Sequence, residues 1–148
     1  MDMKRTVKKA NNDAARRLYA PYAEAEWGFL NHWYPARFSG EVPEGSAVGV
    51  QICGVPIVLR RSKGKVYALK DQCLHRGVKL SAKPMCLTED TITCWYHGFT
   101  FDLKDGKLST IVANPNDKLV GTTGVTTYPV HEVAGMIFVF VREDNYPD

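Results

Sequence analysis

The chain has 148 residues, 45% hydrophobic and 24% charged, which is the size and make-up of one ordinary globular domain with enough length for a core. No apolar run approaches the roughly 20 residues of a membrane-spanning helix, and the basic N-terminus is not followed by the apolar segment of a secretory signal, so neither a membrane nor export is expected and the location expected is cytoplasmic. The net charge of +3 sits at one end: six cations (Lys4, Arg5, Lys8, Lys9, Arg16, Arg17) against two acids (Asp2, Asp13) give +4 for residues 1–17 and leave −1 for the rest. Such a segment suits an acidic protein or plain solvent, and without aromatic interleaving or a base-reading motif it does not indicate nucleic acid.

In chain order, Val7, Ala10, Ala14 and Leu18 recur at helical spacing and predict a helix over 3–19, ended by Pro21; a short helical piece over 22–27 precedes Gly28. Residues 1–28 are therefore read as a basic helical extension and 29–148 as the domain proper. From Leu30 the period changes. His32 to Arg37 reads as a first strand, with Pro35 marking an edge or bulge. Val48 to Cys53 and Ile57 to Arg61 read as strands separated by Gly54-Val55-Pro56, and Ser62-Lys63-Gly64-Lys65 turns into Val66 to Leu69. Thr91 to Thr93, Phe99 to Leu103, Leu108 to Val112, Thr126 to His131 and Gly135 to Val141 complete roughly nine short strands, which predicts an all-β sandwich or small barrel.

The chemistry lies between Asp71 and Phe99. Cys73-Leu74-His75-Arg76-Gly77 and Cys94-Trp95-Tyr96-His97-Gly98 each offer one cysteine and one histidine, with one intervening residue in the first and two in the second. Two Cys and two His can hold a single tetrahedral zinc, or two irons bridged by two sulfides with thiolates on one iron and imidazoles on the other. Zinc sites usually take paired cysteines from one knuckle and paired histidines from a helix. Here each knuckle is mixed, which suits a binuclear centre that both loops must touch. Gly77 and Gly98 close behind the histidines give the backbone room there. The expected cofactor is a [2Fe–2S] cluster on Cys73, His75, Cys94 and His97, with a colourless zinc-stabilised binding module as the alternative. In the iron reading, two ferric ions, two sulfides, two thiolates and two neutral imidazoles sum to a neutral oxidised core, so an added electron costs less than in a four-cysteine cluster. The second ring nitrogen of each imidazole remains free to face solvent or a partner.

The paired C-x-H-R-G and C-x-Y-H-G pattern resembles the Rieske family, and specifically its ring-hydroxylating oxygenases. Asn31 to Pro35, Cys73 to Ser81, Thr91 to His97 and Thr127 to Val130 are similar to the carbazole-type terminal oxygenases, over about Leu30 to Arg142. The resemblance implies a Rieske-type antiparallel β-sandwich with two cluster-binding loops. It also implies one-electron relay from a ferredoxin or reductase to a mononuclear iron, which in the family lies in a neighbouring subunit of a trimer. Respiratory members carry a loop-bridging cysteine where Tyr96 stands and a sulfide-bonding serine where Phe99 stands. Fewer donors to the sulfides imply a potential near the low end of the class, roughly −150 mV. Family oxygenases continue into a second domain with a mononuclear iron on two histidines and a carboxylate. Beyond the four ligands this chain has only His32 and His131, read as strand or surface residues, so the chain is expected to relay electrons and not to catalyse alone. A freestanding Rieske ferredoxin is the alternative. Of the remaining residues, Cys53 and Cys86 are expected to be buried or half-buried free thiols. Trp95 is a candidate shield for the cluster or an ordinary aromatic. Arg76, Lys79 and Lys83 are candidate contacts to an acidic donor or plain surface cations, and Asp71 is a turn residue at a strand end.

Overall fold

The computed structural model describes residues 29–86 and 88–144; the expected helices over 3–19 and 22–27 lie outside them. Ten strands follow in order: β1 His32–Phe38, β2 Ala47–Ile52, β3 Val55–Ser62, β4 Lys65–Lys70, β5 Thr91–Thr93, β6 Phe99–Asp102, β7 Leu108–Ile111, β8 Thr127–Tyr128, β9 Val130–Val133 and β10 Met136–Val141. They form three antiparallel sheets ordered β1-β10-β9, β2-β3-β4-β8 and β5-β6-β7. β1 is an edge strand with a register shift between Pro35 and Arg37, as the proline predicts.

Turn chemistry sets the strand boundaries. Cys53-Gly54, Lys63-Gly64 and Ala134-Gly135 all have positive φ at both residues, between 51° and 76°. That is what the tightest hairpin connections need, because their twist matches the strands. The first of these corrects the sequence reading: the turn is Cys53-Gly54 alone, and Val55 and Pro56 already belong to β3, paired with Ile52 and Gln51. A second correction concerns residues 126–131. They form not one strand but two, β8 on β4 and β9 on β10. Pro129 between them has no N–H to continue a ladder, and its carbonyl accepts from Phe140 N–H at 2.9 Å.

The four-stranded sheet is the middle layer, buried on both faces. Ile57, Leu59, Val66, Ala68 and Tyr128 face a lower core with Ile137, Val139 and Val141 of the β1-β10-β9 sheet. Val58 and Leu69 face an upper core with Ile92, Phe101 and Leu108 of the β5-β6-β7 sheet. Alternation along β3 and β4 sends neighbouring side chains to opposite cores. The upper tier is one continuous excursion of the chain, leaving at the end of β4 and returning at β8. Cys73 and Cys94 are members of its core.

Candidate metal centre

The first ligand loop follows β4; the second is the β5–β6 connection. Their backbones are the same. Cys73 N–H donates to Val78 C=O at 2.9 Å and Gly77 N–H to Cys73 C=O at 2.9 Å; Cys94 N–H donates to Phe99 C=O at 2.7 Å and Gly98 N–H to Cys94 C=O at 3.0 Å. In each loop the glycine is four residues after the cysteine and has positive φ, 69° and 75°, a conformation costly for any residue with a Cβ. Within this shared turn the histidine sits two residues after the cysteine in one loop and three in the other. The different spacings in the sequence are thus one frame used at two adjacent positions.

This frame groups the donors by type. Cys73 and Cys94 are both buried, and the Cys73 thiol is pushed up to about 11, first by burial, opposed by the backbone N–H of His75 and of Arg76, and raised further by a hydrogen bond from Cys94. Two neighbouring buried thiols cannot both ionise without a cation. Above them the rings of His75 and His97 meet edge to face with centroids 4.5 Å apart and their Nδ1 atoms at 3.0 Å. Both imidazoles are exposed. A metal ion bound there would take the Nδ1 lone pair of each ring, with the ring proton on Nε2. Among the described residues no three His, Cys, Asp or Glu side chains gather round one ion-sized point; the donors form a sulfur pair and a nitrogen pair. That division fits a diferric centre with unlike ends.

Neighbouring side chains brace the loops. Asp71 is more than a turn residue. It is 2% exposed, its Oδ1 accepts Ser81 N–H at 2.8 Å and its Oδ2 accepts the Ser81 hydroxyl. The carboxylate ties off the first loop from Asp71 to Ser81. A Cβ at Gly49 of β2 would fall 2.6 Å from Ser81 Oγ and 3.1 Å from Asp71 Oδ2, so glycine there leaves room for the clamp. In the second loop a Cβ at Gly98 would fall 2.6 Å from Val112 Cβ. Phe99, 7% exposed, stacks on His75 with centroids 4.9 Å apart and planes within 8°. Only a three-dimensional view exposes these roles. Asp71 and Ser81, or His75 and Phe99, carry no joint pattern in the sequence, although an aromatic directly after Gly98 was a visible cue.

The remaining candidates fall as follows. Trp95 is half-buried, and the Lys83 ammonium lies 4.9 Å over its ring. Arg76 and Lys79 are exposed on the first loop. Leu74, Tyr96 and Val112, at 46%, 47% and 54% exposure, add an apolar character to the ligand loops and the end of β7. Cys53 is a buried free thiol as expected, while Cys86 is exposed, correcting that part of the reading. His32 and His131 are exposed residues of β1 and β9. No helix among the described residues is long and apolar enough to cross a membrane.

Residues 32–129 match the model of the Rieske [2Fe-2S] domain, and the chain belongs to that family; its cofactor is a [2Fe–2S] cluster. It is of the ring-hydroxylating oxygenase type: it is 47% identical to the terminal oxygenase component of carbazole 1,9a-dioxygenase from a Sphingomonas species, over 86% of this chain and 34% of that protein. Among solved structures it superposes on a 2-oxoquinoline 8-monooxygenase component with a TM-score of 0.82 and 72% identity, covering 94% of this chain and 33% of the other. It also superposes on the oxygenase of a carbazole 1,9a-dioxygenase oxygenase–ferredoxin complex with a TM-score of 0.77 and 45% identity, over 87% of this chain and 33% of the other. The chain spans about a third of the length of these relatives.

Proposed function

We propose that Cys73 and Cys94 hold one iron and His75 and His97 the other, and that the domain relays single electrons into an oxygenase. The observation that carries this is the division of donors into a buried thiol pair and an exposed imidazole pair on two loops of the same backbone. The cluster, when bound, takes up and gives back one electron at a time. The chain's own groups do the rest. Burial of the two cysteines keeps water from the sulfur end. The His75 and Arg76 N–H groups favour the thiolate at Cys73. With Nδ1 turned inward on each imidazole, Nε2 is the nitrogen left for a partner at the surface.

The donor is a ferredoxin or a reductase, and the ferredoxin seen with the carbazole oxygenase supports the first. Leu74, Tyr96 and Val112 offer it apolar contact, and Arg76 and Lys79 an attraction for acidic groups. The acceptor is the mononuclear iron of an oxygenase catalytic domain acting on an aromatic or related apolar substrate, in a trimer as in the family. The Rieske domain is proposed to run over 29–148, preceded by the basic segment 1–28. Metal analysis of this chain should give two irons and no zinc, with a coloured oxidised form and no substrate oxidation by the chain alone. A colourless zinc protein, or product formed with donor and oxygen, would overturn the reading.

A further inference from the structure

The plane of a histidine ring is weakly held by its own torsion, since rotation about a bond to an sp² ring is broad. An exposed imidazole such as His75 therefore takes its orientation from its neighbours. His97 edges it at 83°, and the one flat surface against its face is Phe99, parallel within 8°. Phe99 is itself fixed. Its carbonyl accepts the Cys94 N–H at 2.7 Å, it pairs with Ile111 at the start of β6, and its ring is part of the buried upper core. His97 has no such support. Its aromatic neighbour on the other side is Tyr96 of the same loop, 47% exposed and tilted by 61°.

We infer that Phe99 is the positioning residue for His75: the residue leaving the second loop sets the ring plane of the ligand on the first, so that the two imidazoles are held unequally. The inference rests on His75 being a cluster ligand. Offset aromatic stacking has the geometry to hold a ring in this way, and the buried phenyl also keeps water from that face of His75.

The test uses iron-loaded chain carrying Phe99→Leu, which keeps apolar bulk and loses the flat face, and Phe99→Tyr, which keeps it. The readouts are the nitrogen hyperfine couplings of the reduced cluster and the reduction potential. In the Leu variant the couplings of one imidazole should shift while those of the other stay, and the potential should rise as water reaches the site and favours the more negative state. The Tyr variant should reproduce wild type in both. Leu-variant couplings and potential coincident with wild type would overturn the inference, as would a Tyr variant that shifts as far as Leu. If Phe99→Leu fails to load iron, Phe99→Met takes its place under the same criteria. Loss of the ligand reading itself would show differently, as full iron content in Cys73→Ala or Cys94→Ala protein.

Discussion

The two tiers of the molecule are built on different terms. The base, from β1–β4 and β8–β10, has strands of six to eight residues in five of its members and a lower core made of aliphatic side chains and Tyr128. The ligand tier has strands of only three and four residues, and two of its core positions are the cysteines. Ile92, Phe101 and Leu108 pack its core, but two members of that core are cysteines on the loops, so this tier also leans on what its loops hold, whereas the base has packing alone. An electron-relay domain can thereby offer its ligands on exposed loops without making the whole fold depend on them.

The largest effect should come from removing a sulfur ligand. Cys73→Ala or Cys94→Ala should abolish iron binding, and amide exchange should then quicken in β5–β7 while β2–β4 keep their protection. Equal loss of protection in both tiers would break the distinction. Replacing a nitrogen ligand is milder: His75→Cys or His97→Cys protein that still assembles should have a lowered potential, because a thiolate adds negative charge. An unchanged or raised potential in voltammetry would count against the assignment.

Within the ligand tier, the two loops share a backbone but not a setting, and their glycines sharpen that contrast. Gly98→Ala combines positive φ with a Cβ 2.6 Å from Val112 Cβ, and should cost about 2–5 kcal/mol. Gly77→Ala meets only the movable Gln72 side chain, at 3.3 Å, and should cost about 1–2 kcal/mol. Thermal melts that rank Gly77→Ala as the worse would contradict the packing account. The first loop has its own brace instead. Asp71→Ala removes both acceptors of Ser81 and should cost about 2–3 kcal/mol, read as a lower melting temperature.

What the sequence disclosed follows the same division. The two Cys-His loops were legible because a Cys-to-Gly turn is local: six consecutive residues carry its two hydrogen bonds, the positive φ and the histidine. The hairpin at Lys63-Gly64 was legible for the same reason, since a turn needs only its own residues, whereas Gly135, read as the start of the last strand, belongs to the turn before β10. Phe99 against His75 and Asp71 against Ser81 join segments 24 and 10 residues apart, and nothing in either partner names the other. The break at Pro129 was hidden because residues on both sides favour strand; which sheet each joins is decided by β4 and β10, far along the chain. Cys86 was misread because a thiol's burial depends on what the surrounding loop covers, and no periodic pattern reports that.

The smallest effect tests the base. Arg61 of β3 donates to Glu132 of β9 at 3.0 Å and 2.5 Å, tying the middle sheet to the lower one at the surface. The Arg61 hydrogen bond holds the Glu132 carboxyl below its ordinary value, with help from Ser39. A carboxyl depressed in the folded state stabilises fully above its unfolded pKa, and that contribution is lost as pH falls through the lower folded value. Glu132→Gln should therefore cost at most about 1 kcal/mol near neutral pH, since the pair is partly solvated. The gap between wild type and variant should close on acidification through the carboxylate range, and narrow as salt is raised. The cluster spectrum and potential should be untouched, because Glu132 lies in the other tier. A large loss of stability at neutral pH, or a shift in potential, would mean that the base leans on a surface ion pair or that the tiers are coupled through β3, and either result would undo the separation drawn between them.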